Sequence, residues 1–337
     1  MTPVISVCIA NYNGIRLIDD CIESVHAQDC TMPVEIIVHD DASTDESAAH
    51  IRARHPDVIL IESSENAGFC IANNRMAAAA RGAYLLLLNN DATLMSDALQ
   101  TLHDEASRLE RPAILTLPQF EFDSGKLIDR GCLLDPFFNP VPNLDADRHD
   151  VAMVIGACLW IPKSLWEELG GFPEWFGSIG EDLYLCCHAR LFGLHVRVAS
   201  SSGYRHHVGK SFGGGKLQDE KLSTTYRRRS LSERNKAFAM AICHPLPAFA
   251  VLFPLHIILI HLEGMLVALV RQDMALWREI YAPLLPSLWS RRYELVTART
   301  NAQTRRRLPL AGWLAAFRWL PWKLRMLFRH GIPEIKH

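Results

Sequence analysis

Three clusters of polar side chains, each placed directly after a short apolar run, are the residues of this sequence that could bind a ligand. They are Asn11-Tyr12-Asn13, Asp40-Asp41 and Asn89-Asn90-Asp91. Together they supply amides, carboxylates and one aromatic ring, which can hydrogen-bond to a small molecule or stack on it. Asn and Asp also favour turns without any ligand, so each cluster taken alone has a purely structural explanation. The coincidence of three such clusters favours a binding edge.

The apolar runs before these clusters predict strands that alternate with helices. The expected strands are Val4–Ile9, Glu35–Val38, Val58–Ile61 and Tyr84–Leu88, and the expected helices are Asp45–Arg54 and residues 70–81. Alternation of this kind predicts an α/β fold with a mostly parallel sheet covered on both faces. In such sheets ligands bind beyond the carboxyl ends of the strands, which is where the three clusters fall.

Composition indicates an ordinary globular protein. The chain has 337 residues, enough for one large domain or two modest ones. Its net charge of −2 conceals an asymmetry, because residues 1–200 carry −16 and residues 201–337 carry +14. The nine cysteines show no CxxC spacing, which argues against a disulfide framework or a zinc site. The N-terminus does not have the pattern of a signal peptide, so we expect a cytosolic protein.

Six segments, in this order, resemble family 2 glycosyltransferases of the GT-A fold: SVCIANYNG, EIIVHDDASTDES, NAGFCIANN, GAYLLLLNNDA, GACLWIPKSLWEELGGF and GEDLYLCCHARLFG. The similarity is greatest to the bacterial branch that builds surface polysaccharides and includes rhamnosyltransferases. It extends from residue 4 to about residue 212, with a weaker match at Glu233-Arg234-Asn235. The resemblance implies a Rossmann-like nucleotide-diphospho-sugar transferase with a mixed, mostly parallel sheet, followed by a helical C-terminal region.

The resemblance also implies a nucleotide at the ends of the first strands. Tyr12 is expected to stack on the base, and Asp40 or Asp41 to hydrogen-bond its edge and the ribose. A ring face and a carboxylate acceptor suit a pyrimidine with an N–H, so the expected donor is UDP- or dTDP-linked. The remaining expected contacts are Ala10, Asn74 and Asn90 on the nucleotide, and Asn66, Gly68, Phe69 and Glu181 in the pocket for donor and acceptor.

Asn89-Asn90-Asp91 stands where the family has a metal-binding DxD, with Asn in place of the first Asp. The resemblance implies that Asp91 ligates Mn²⁺ or Mg²⁺, which also holds the two donor phosphates. One carboxylate instead of two implies a weaker site in the absence of donor. His206 matches the family's HxxGxS segment, with Gly209 and Ser211, and is expected to complete the metal shell. His207 remains the alternative ligand.

Glu181-Asp182 matches the family's acceptor-side acidic pair, with Asp182 as the general base of an inverting transfer. The acceptor hydroxyl must lose its proton as it attacks the anomeric carbon, and a positioned carboxylate can take that proton. The dipole of the helix predicted to begin here keeps Asp182 ionised. A helix cap is the alternative role, and it fits Glu181 better than Asp182.

The last hundred residues are apolar and then basic. Within residues 245–270 the uninterrupted run Leu255–Val270 is 16 residues long, short of the ~20 that span a bilayer. Residues 291–330 hold ten Lys and Arg and one acid, with Trp313, Phe317, Trp319 and Trp322 among them. Arg318, Arg325 and Arg329 are predicted to share one helical face. This composition favours a helix in an anionic membrane interface. A packing or oligomer interface is the alternative, and no nucleic-acid motif is present.

We therefore expect a GT-A catalytic domain over residues 1–230 and a helical, basic, membrane-associating region over residues 231–337. The enzyme is expected at the cytoplasmic face of the inner membrane, where it acts on a glycan or lipid-linked acceptor. A nucleotidyltransferase is the rival enzyme, but it needs basic residues near the first strand, where Ala10–Gly14 has none. A non-catalytic carbohydrate-binding protein on the same fold is the other alternative, and Asp91, Asp182 and His206 count against it.

Overall fold

The structure is a computed structural model that describes residues 2–207, 214–218 and 221–336, and for residues 214–218, 221 and 222 it describes the backbone alone. Gly209 and Ser211 of the HxxGxS segment lie outside the described residues. The strands are β1 Ile5–Asn11, β2 Val34–Asp40, β3 Ile59–Glu62, β4 Tyr84–Asn89, β5 Ala92–Leu94, β6 Ala113–Thr116, β7 Gln119–Glu121, β8 Leu127–Asp129, β9 Cys132–Leu134, β10 Pro140–Pro142, β11 Cys158–Pro162, β12 His195–Val198, β13 Tyr204–His206, β14 Gly214–Gln218, β15 Lys221–Thr225 and β16 Glu334–Lys336.

The α-helices are α1 Ile18–His26, α2 Ser47–Arg54, α3 Phe69–Ala79, α4 Ala98–Arg108, α5 Lys163–Leu169, α6 Glu181–Leu191, α7 Tyr226–Cys243, α8 Leu246–Arg271, α9 Met274–Leu276, α10 Leu284–Ser290, α11 Arg292–Thr304, α12 Leu310–Leu314 and α13 Trp322–His330. A 3-10 turn covers Glu174–Phe176, and a π-helical segment covers Trp277–Tyr281.

A seven-stranded sheet in the order β12-β6-β11-β4-β1-β2-β3 forms the framework of the candidate site. β1 runs parallel to β2 and to β4, with Asn11 beside Asp40 and Ala10 beside Asn89, so the carboxyl ends of these three strands meet at one edge. β3 and β12 also pair in parallel with their neighbours, whereas β11 runs antiparallel to β4. The expected α/β fold with a mostly parallel sheet is confirmed.

Continuous apolar sequence explains why the middle of this sheet is covered on both faces. Leu85, Leu86 and Leu87 of β4 are all fully buried, as a strand between two helical layers requires. Helix α1 buries its apolar residues at helical spacing, namely Ile18, Cys21, Ile22 and Val25. Burial of these runs fixes where each strand ends, and therefore where the polar clusters lie.

A small second sheet, in the order β5-β13-β7-β8, brings distant residues to the end of β4. β13 pairs antiparallel with β5, which places His206 opposite Ala92. It also pairs in parallel with β7, which places Tyr204 opposite Gln119. Because Ala92 follows Asp91 directly, this pairing carries His206 to Asp91.

One helix of the first unit begins later than expected. The helix expected from Asp45 begins at Ser47, because the Asp45 carboxylate accepts hydrogen bonds from the backbone N–H groups of Ile15 and Ser47 ahead of the helix. Strand β11 begins at Cys158, and just before it the Gly156 N–H donates to the Asp182 side chain instead of a neighbouring strand. Helix α6 is buried around nearly its whole circumference.

The chain divides into two compact units, and the two sheets just described belong to the first. The first unit comprises Met1–Cys132, Pro142–Ala189 and Leu194–Ser211, and the second comprises Leu133–Val141, Arg190–Gly193 and Phe212–His337. Helices α7 to α13 belong to the second unit. The expected domain boundary at residue 230 remains a prediction.

Several cations and rings of the tail are structural parts of the second unit. Arg299 donates hydrogen bonds to the carbonyl oxygens of Ala241 and His244, at 2.6 and 2.9 Å, where α7 ends. Trp313 is fully buried and Phe317 nearly so, and these are two of the four rings expected at a membrane face. The expectation that Arg318, Arg325 and Arg329 share a helical face is wrong, because α13 begins only at Trp322.

Helix α8 is the one helix in the described part of the chain that is long and apolar enough to cross a membrane. The helix is 26 residues long and includes the apolar run Leu255–Val270, because neither Pro247 nor Pro254 ends it. Pro247 lies in the first turn, where a missing N–H costs no helical hydrogen bond, and Pro254 is accommodated inside the helix.

Candidate active site

Asp91 and His206 face each other at the carboxyl edge of β4. Oδ1 of Asp91 lies 3.0 Å from Nε2 of His206, and both side chains are buried. A carboxylate oxygen and an imidazole nitrogen this close together are compatible donors for one divalent cation. No group of three or more His, Cys, Asp or Glu side chains within the described residues is arranged to hold a metal ion. Asp91 and His206 are thus two described side chains that could ligate such a cation.

The neighbouring His207 has different surroundings. Its ring stacks on Phe122, with the ring centroids 3.6 Å apart and the planes 24° apart. Its backbone N–H donates to the main-chain oxygen of Asp91 at 3.0 Å. The His206 imidazole faces the Asp91 carboxylate, and the His207 imidazole packs on Phe122.

Two residues that the sequence did not single out hold the His206 imidazole. Nε2 of Gln119 lies 3.1 Å from Nδ1 of His206, and the Tyr204 hydroxyl donates to Oε1 of Gln119 at 2.8 Å. In this arrangement Nδ1 accepts and Nε2 carries the ring proton toward Asp91. Turning the Gln119 amide over gives the other tautomer, whose Nε2 lone pair is free for a cation. Outer partners of this kind orient metal-binding histidines.

Two further acids lie near this group. Burial raises the pKa of Asp129 to about 7, against the lowering effects of the Gly131 N–H bond and of His206. Burial, followed by the charges of carboxylates that include Asp129 and Asp182, raises the pKa of the Tyr204 hydroxyl well above its ordinary value. The Tyr204 hydroxyl therefore stays protonated and donates to Gln119. The Asp182 carboxylate lies close enough for its charge to contribute to the raised pKa of Tyr204.

A chain of side-chain amides joins the ends of β1, β2 and β4. Nδ2 of Asn11 donates to Oδ1 of Asp40 at 2.9 Å, and Nδ2 of Asn90 donates to Oδ1 of Asn11 at 2.8 Å. Gly14 packs against this chain, since a Cβ there would lie 2.2 Å from Nδ2 of Asn90 and 2.3 Å from Oδ1 of Asn11. The amide chain thus explains why the NYNG segment ends in glycine.

Tyr12 and Asp40 occupy the same edge but have different environments. The Tyr12 side chain is 52% exposed, so its ring face is available for stacking. Asp40 is buried, and its two oxygens accept hydrogen bonds from the hydroxyl and the N–H of Ser43, at 2.6 and 3.0 Å. A carboxylate offers about four lone-pair sites, so Asp40 retains acceptor capacity. Ala10, the residue before Asn11 on β1, is partly exposed at this edge.

Asp41 organises the loop before α3. Its two oxygens each accept a backbone hydrogen bond at 2.8 Å, one from Ala67 and one from Gly68. Nδ2 of Asn66 donates to the main-chain oxygen of Asp41 at 3.4 Å. Asp41 thus connects the end of β2 to the predicted pocket residues Asn66 and Gly68. The expected contact of Asp41 with the nucleotide stays a prediction.

The loop after α5 is fixed to α3. Nδ2 and Oδ1 of Asn74 bond the backbone oxygen and nitrogen of Phe172 at 2.9 and 3.0 Å, and the rings of Phe69 and Phe172 stack at 6.2 Å. Gly68 has a φ of +93°, and a Cβ there would lie 3.2 Å from the carbonyl oxygen of Gly177. Asn74 is therefore seen in a positioning role, and its expected nucleotide contact is untested.

Asp182 stands in the first turn of α6 with part of its surface exposed. Its Oδ2 accepts a hydrogen bond from the Gly156 N–H at 3.0 Å, and its Oδ1 accepts one from the Leu183 N–H at 2.7 Å. Both bonds favour the ionised carboxylate, which a proton acceptor requires. Glu181, by contrast, is buried.

The first unit therefore gathers Asp91, His206 and the amide chain at one sheet edge. Residues 6–170, which contain most of this edge, match the sequence profile of the family described as Glycosyl transferase family 2. The chain carries a family 2 glycosyltransferase domain. The resemblance seen in the six motifs is confirmed by this match.

Some curated relatives of the glycosyltransferase domain are named for the synthesis of polysaccharides. Chondroitin synthase of Escherichia coli is 32% identical over 188 residues, which is 54% of this chain and 26% of that protein. Succinoglycan biosynthesis protein ExoO of Rhizobium meliloti is 35% identical over 216 residues, which is 61% of each. The chain thus spans less than two thirds of either relative.

Solved structures resemble the chain over more of its length. Mannosyltransferase PcManGT from Pyrobaculum calidifontis, in complex with GDP-Man and Mn²⁺, has a TM-score of 0.51 at 20% identity and covers 94% of this chain and 86% of its own. S. aureus TarS 1-349 in complex with UDP has a TM-score of 0.52 at 15% identity and covers 89% and 90%. The expected GT-A fold is confirmed.

Proposed function

We propose that this glycosyltransferase is a metal-dependent, inverting enzyme of surface-polysaccharide synthesis. It transfers a sugar from a UDP- or dTDP-linked donor to a hydroxyl of a glycan or lipid-linked acceptor. The observation that carries the proposal is the 3.0 Å approach of Asp91 to His206 beside the amide chain, because a cation bound there would lie next to the proposed nucleotide contacts. Homologues named for chondroitin, succinoglycan and O-antigen synthesis support the polysaccharide assignment.

The donor nucleotide would lie along the ends of β1, β2 and β4. The exposed ring of Tyr12 stacks on the base, and Asp40 and Asp41 accept hydrogen bonds from the base edge and ribose. Ala10, Asn74 and Asn90 complete the nucleotide contacts, and Asn66, Gly68, Phe69 and Glu181 shape the pocket. Solved neighbours that hold UDP or GDP-Man support a nucleotide-sugar donor.

Asp91 and His206 would hold the divalent cation, either Mn²⁺ or Mg²⁺. When bound, the cation neutralises the charge that grows on the leaving diphosphate. Two protein ligands leave most of its coordination positions to the donor phosphates and water, so we expect tight metal binding only with donor present. The Mn²⁺ in the PcManGT and GalNAc-T7 structures supports a divalent metal.

Asp182 would act as the general base. The acceptor oxygen forms its bond to the anomeric carbon on the side opposite the diphosphate, and the bond from that carbon to the diphosphate oxygen breaks. The acceptor proton passes to the Asp182 carboxylate. Attack from the opposite side inverts the anomeric configuration, and no covalent sugar–enzyme bond is needed.

The acceptor would be met at the cytoplasmic face of the inner membrane. A lipid-linked glycan is confined to that surface, and the excess of Lys and Arg after residue 200 attracts anionic headgroups. The enzyme is thus proposed to be peripheral at the inner leaflet.

Release of nucleoside diphosphate by the purified chain, measured over a panel of UDP-, dTDP- and GDP-sugars, tests the proposal. We expect release that requires Mn²⁺ or Mg²⁺, is abolished by EDTA and is enhanced by acceptor glycans. The product anomer, determined by NMR, should be inverted. Pyrophosphate release from a nucleoside triphosphate would instead identify a nucleotidyltransferase. Glycan binding without any nucleotide binding would identify a carbohydrate-binding protein.

A further inference from the structure

Helix α8 turns its apolar side to the outside. Every exposed residue between 251 and 270 is apolar, namely Val251, Pro254, Leu255, Ile258, Leu259, Leu262, Leu266, Leu269 and Val270. A helix on the surface of a water-soluble domain shows the opposite distribution, with its polar side outward. The polar residues inside α8 lie on or beside the side that packs into the second unit. His256 is buried, the His261 ring packs edge-on against Trp277, and Glu263 pairs with Arg229.

That inner side is held firmly by its neighbours. Glu263 accepts hydrogen bonds from Arg229 of α7 and Lys323 of α13, at 2.5 and 2.8 Å. Gly264 lies so close to Tyr281 that a Cβ would sit 2.3 Å from the ring. The helix therefore cannot rotate its apolar side inward without breaking these contacts.

Helix α13 shows the same reversal. Lys323 points into the unit and forms ion pairs with Glu233 and Glu263, at 2.7 and 2.8 Å. Leu324, Leu327 and Phe328 are exposed, and Phe328 is the most exposed of them at 86%. Because the Lys323–Glu263 pair joins α13 to α8, the exposed leucines that flank this pair on both helices belong to neighbouring surfaces.

The charged residues that α8 and α13 themselves expose have one sign. Arg325 and Arg329 are exposed on α13, and Arg271 is exposed at the end of α8. Glu263 is the only acid on either helix, and it is already paired with Arg229 and Lys323. An apolar face with cations and no free acid complements an anionic lipid surface, where headgroups attract the arginines and acyl chains receive the leucines.

We infer that the outward side of α8, together with α13, is a monotopic membrane-binding surface that enters one leaflet of an anionic bilayer. Helix α8 is ~39 Å long at 1.5 Å per residue, enough to span the hydrocarbon core. It nevertheless lies along the interface, because its other side carries the Glu263 ion pairs and the Tyr281 contact, which lipid cannot replace. The surface deepens the proposed membrane association and stands on the second unit alone.

Flotation of the full chain with lipid vesicles tests the surface. Wild type should bind phosphatidylcholine vesicles that contain phosphatidylglycerol, and bind pure phosphatidylcholine weakly. Leu262→Glu should reduce the partition coefficient about tenfold or more, since one exposed leucine loses its burial in lipid. Leu144→Glu is the matched control, because Leu144 is 63% exposed in the first unit and Leu262 is 61% exposed in α8. This control should bind vesicles as wild type does.

Arg325→Gln combined with Arg329→Gln tests the charge independently of the leucines. This variant should bind anionic vesicles about tenfold or more weakly than wild type, and its remaining binding should depend less on salt, with an unchanged circular dichroism spectrum. Equal partitioning of Leu262→Glu and wild type would overturn the inference. A wild-type dimer that Leu262→Glu dissociates in sedimentation velocity, with vesicle binding unchanged, would assign the surface to a second copy of the chain. Because UDP binding and donor hydrolysis are measured without vesicles, failure of the catalytic proposal is distinguished from failure of this one.

Discussion

Asp182→Asn removes the charge of the proposed general base with little change in side-chain size. In the structure both carboxylate oxygens accept backbone hydrogen bonds, from Gly156 and from Leu183. Asparagine keeps an acceptor for one N–H and turns its NH2 group toward the other. An N–H left without a partner costs ~1–3 kcal/mol of unfolding free energy. The loss of the proton acceptor should lower kcat by ~10²-fold or more, which raises the barrier by about 2.7 kcal/mol.

The assay has to separate these two effects. Nucleoside diphosphate release at saturating donor and metal gives kcat, calorimetry gives the Kd for UDP or dTDP, and thermal unfolding gives Tm. We expect kcat to fall, Tm to fall modestly and the nucleotide Kd to stay at its wild-type value, because Asp182 is placed on the acceptor side.

Glu35→Gln is the matched control. Glu35 is buried, and its Oε1 accepts hydrogen bonds from the Ser6 hydroxyl and the Arg81 N–H, at 2.6 and 2.7 Å. It lies at the amino end of β2, opposite the candidate site, so this variant also removes a charge and an acceptor but should keep most of kcat. Asp182→Asn with near-normal kcat, or an equal loss of kcat in Glu35→Gln, would refute the assignment of the base.

Three further perturbations test other parts of the structure. Gln119→Leu should weaken Mn²⁺ binding about 10–100-fold, because it frees the His206 imidazole to rotate. An Mn²⁺ affinity that is unchanged when measured by electron paramagnetic resonance would remove His206 from the metal site. Gly14→Ala places a methyl group against the Asn11–Asn90 hydrogen bond, so calorimetric nucleotide affinity should fall, and wild-type affinity would separate the amide chain from donor binding. Lowering the pH from 7 to 5 should reduce the unfolding free energy of the second unit by about 2 kcal/mol through His244. Burial lowers the pKa of His244 to about 3 in the folded protein, whereas in the unfolded chain this histidine takes up a proton below its ordinary pKa of 6.5. His244→Gln should flatten this part of the dependence in urea titrations, and a wild-type protein equally stable at both values would contradict the burial of a neutral imidazole.

The parallel sheet and its binding edge could be predicted because their signals are local. The apolar run of β4 ends at Asn89, and that of β1 ends at Asn11, so each strand end is visible in the sequence. Parallel pairing then brings these ends together without further information. The role of Gly14 could also be inferred from the sequence, since a glycine directly after Asn11-Tyr12-Asn13 indicates a close approach of side chains.

Gln119 and Tyr204 could not be predicted because their roles depend on the pairing of distant strands. β13 reaches β5 and β7 across more than 80 residues of chain, and no local pattern indicates that Tyr204 lies opposite Gln119. The start of β11 at Cys158 depends on a distant residue in the same way. The competing partner of the Gly156 N–H is the Asp182 side chain, which lies 26 residues away in sequence.

The number of Lys and Arg residues in the C-terminal region does not show which of them are exposed. Arg299 caps α7, and Lys323 pairs with the buried Glu233 and the partly buried Glu263, so neither cation is free to meet a membrane. Removing residues 291–337 would deprive Glu233 and Glu263 of Lys323 and would remove the buried Trp313 from His244. Breaking a buried ion pair costs ~3–5 kcal/mol, which is a large part of the stability of a typical domain. Loss of vesicle binding after such a truncation would therefore report unfolding as readily as loss of lipid contact. Substitutions at Leu262 avoid this ambiguity because its side chain is exposed, so a change in binding there reports the surface itself.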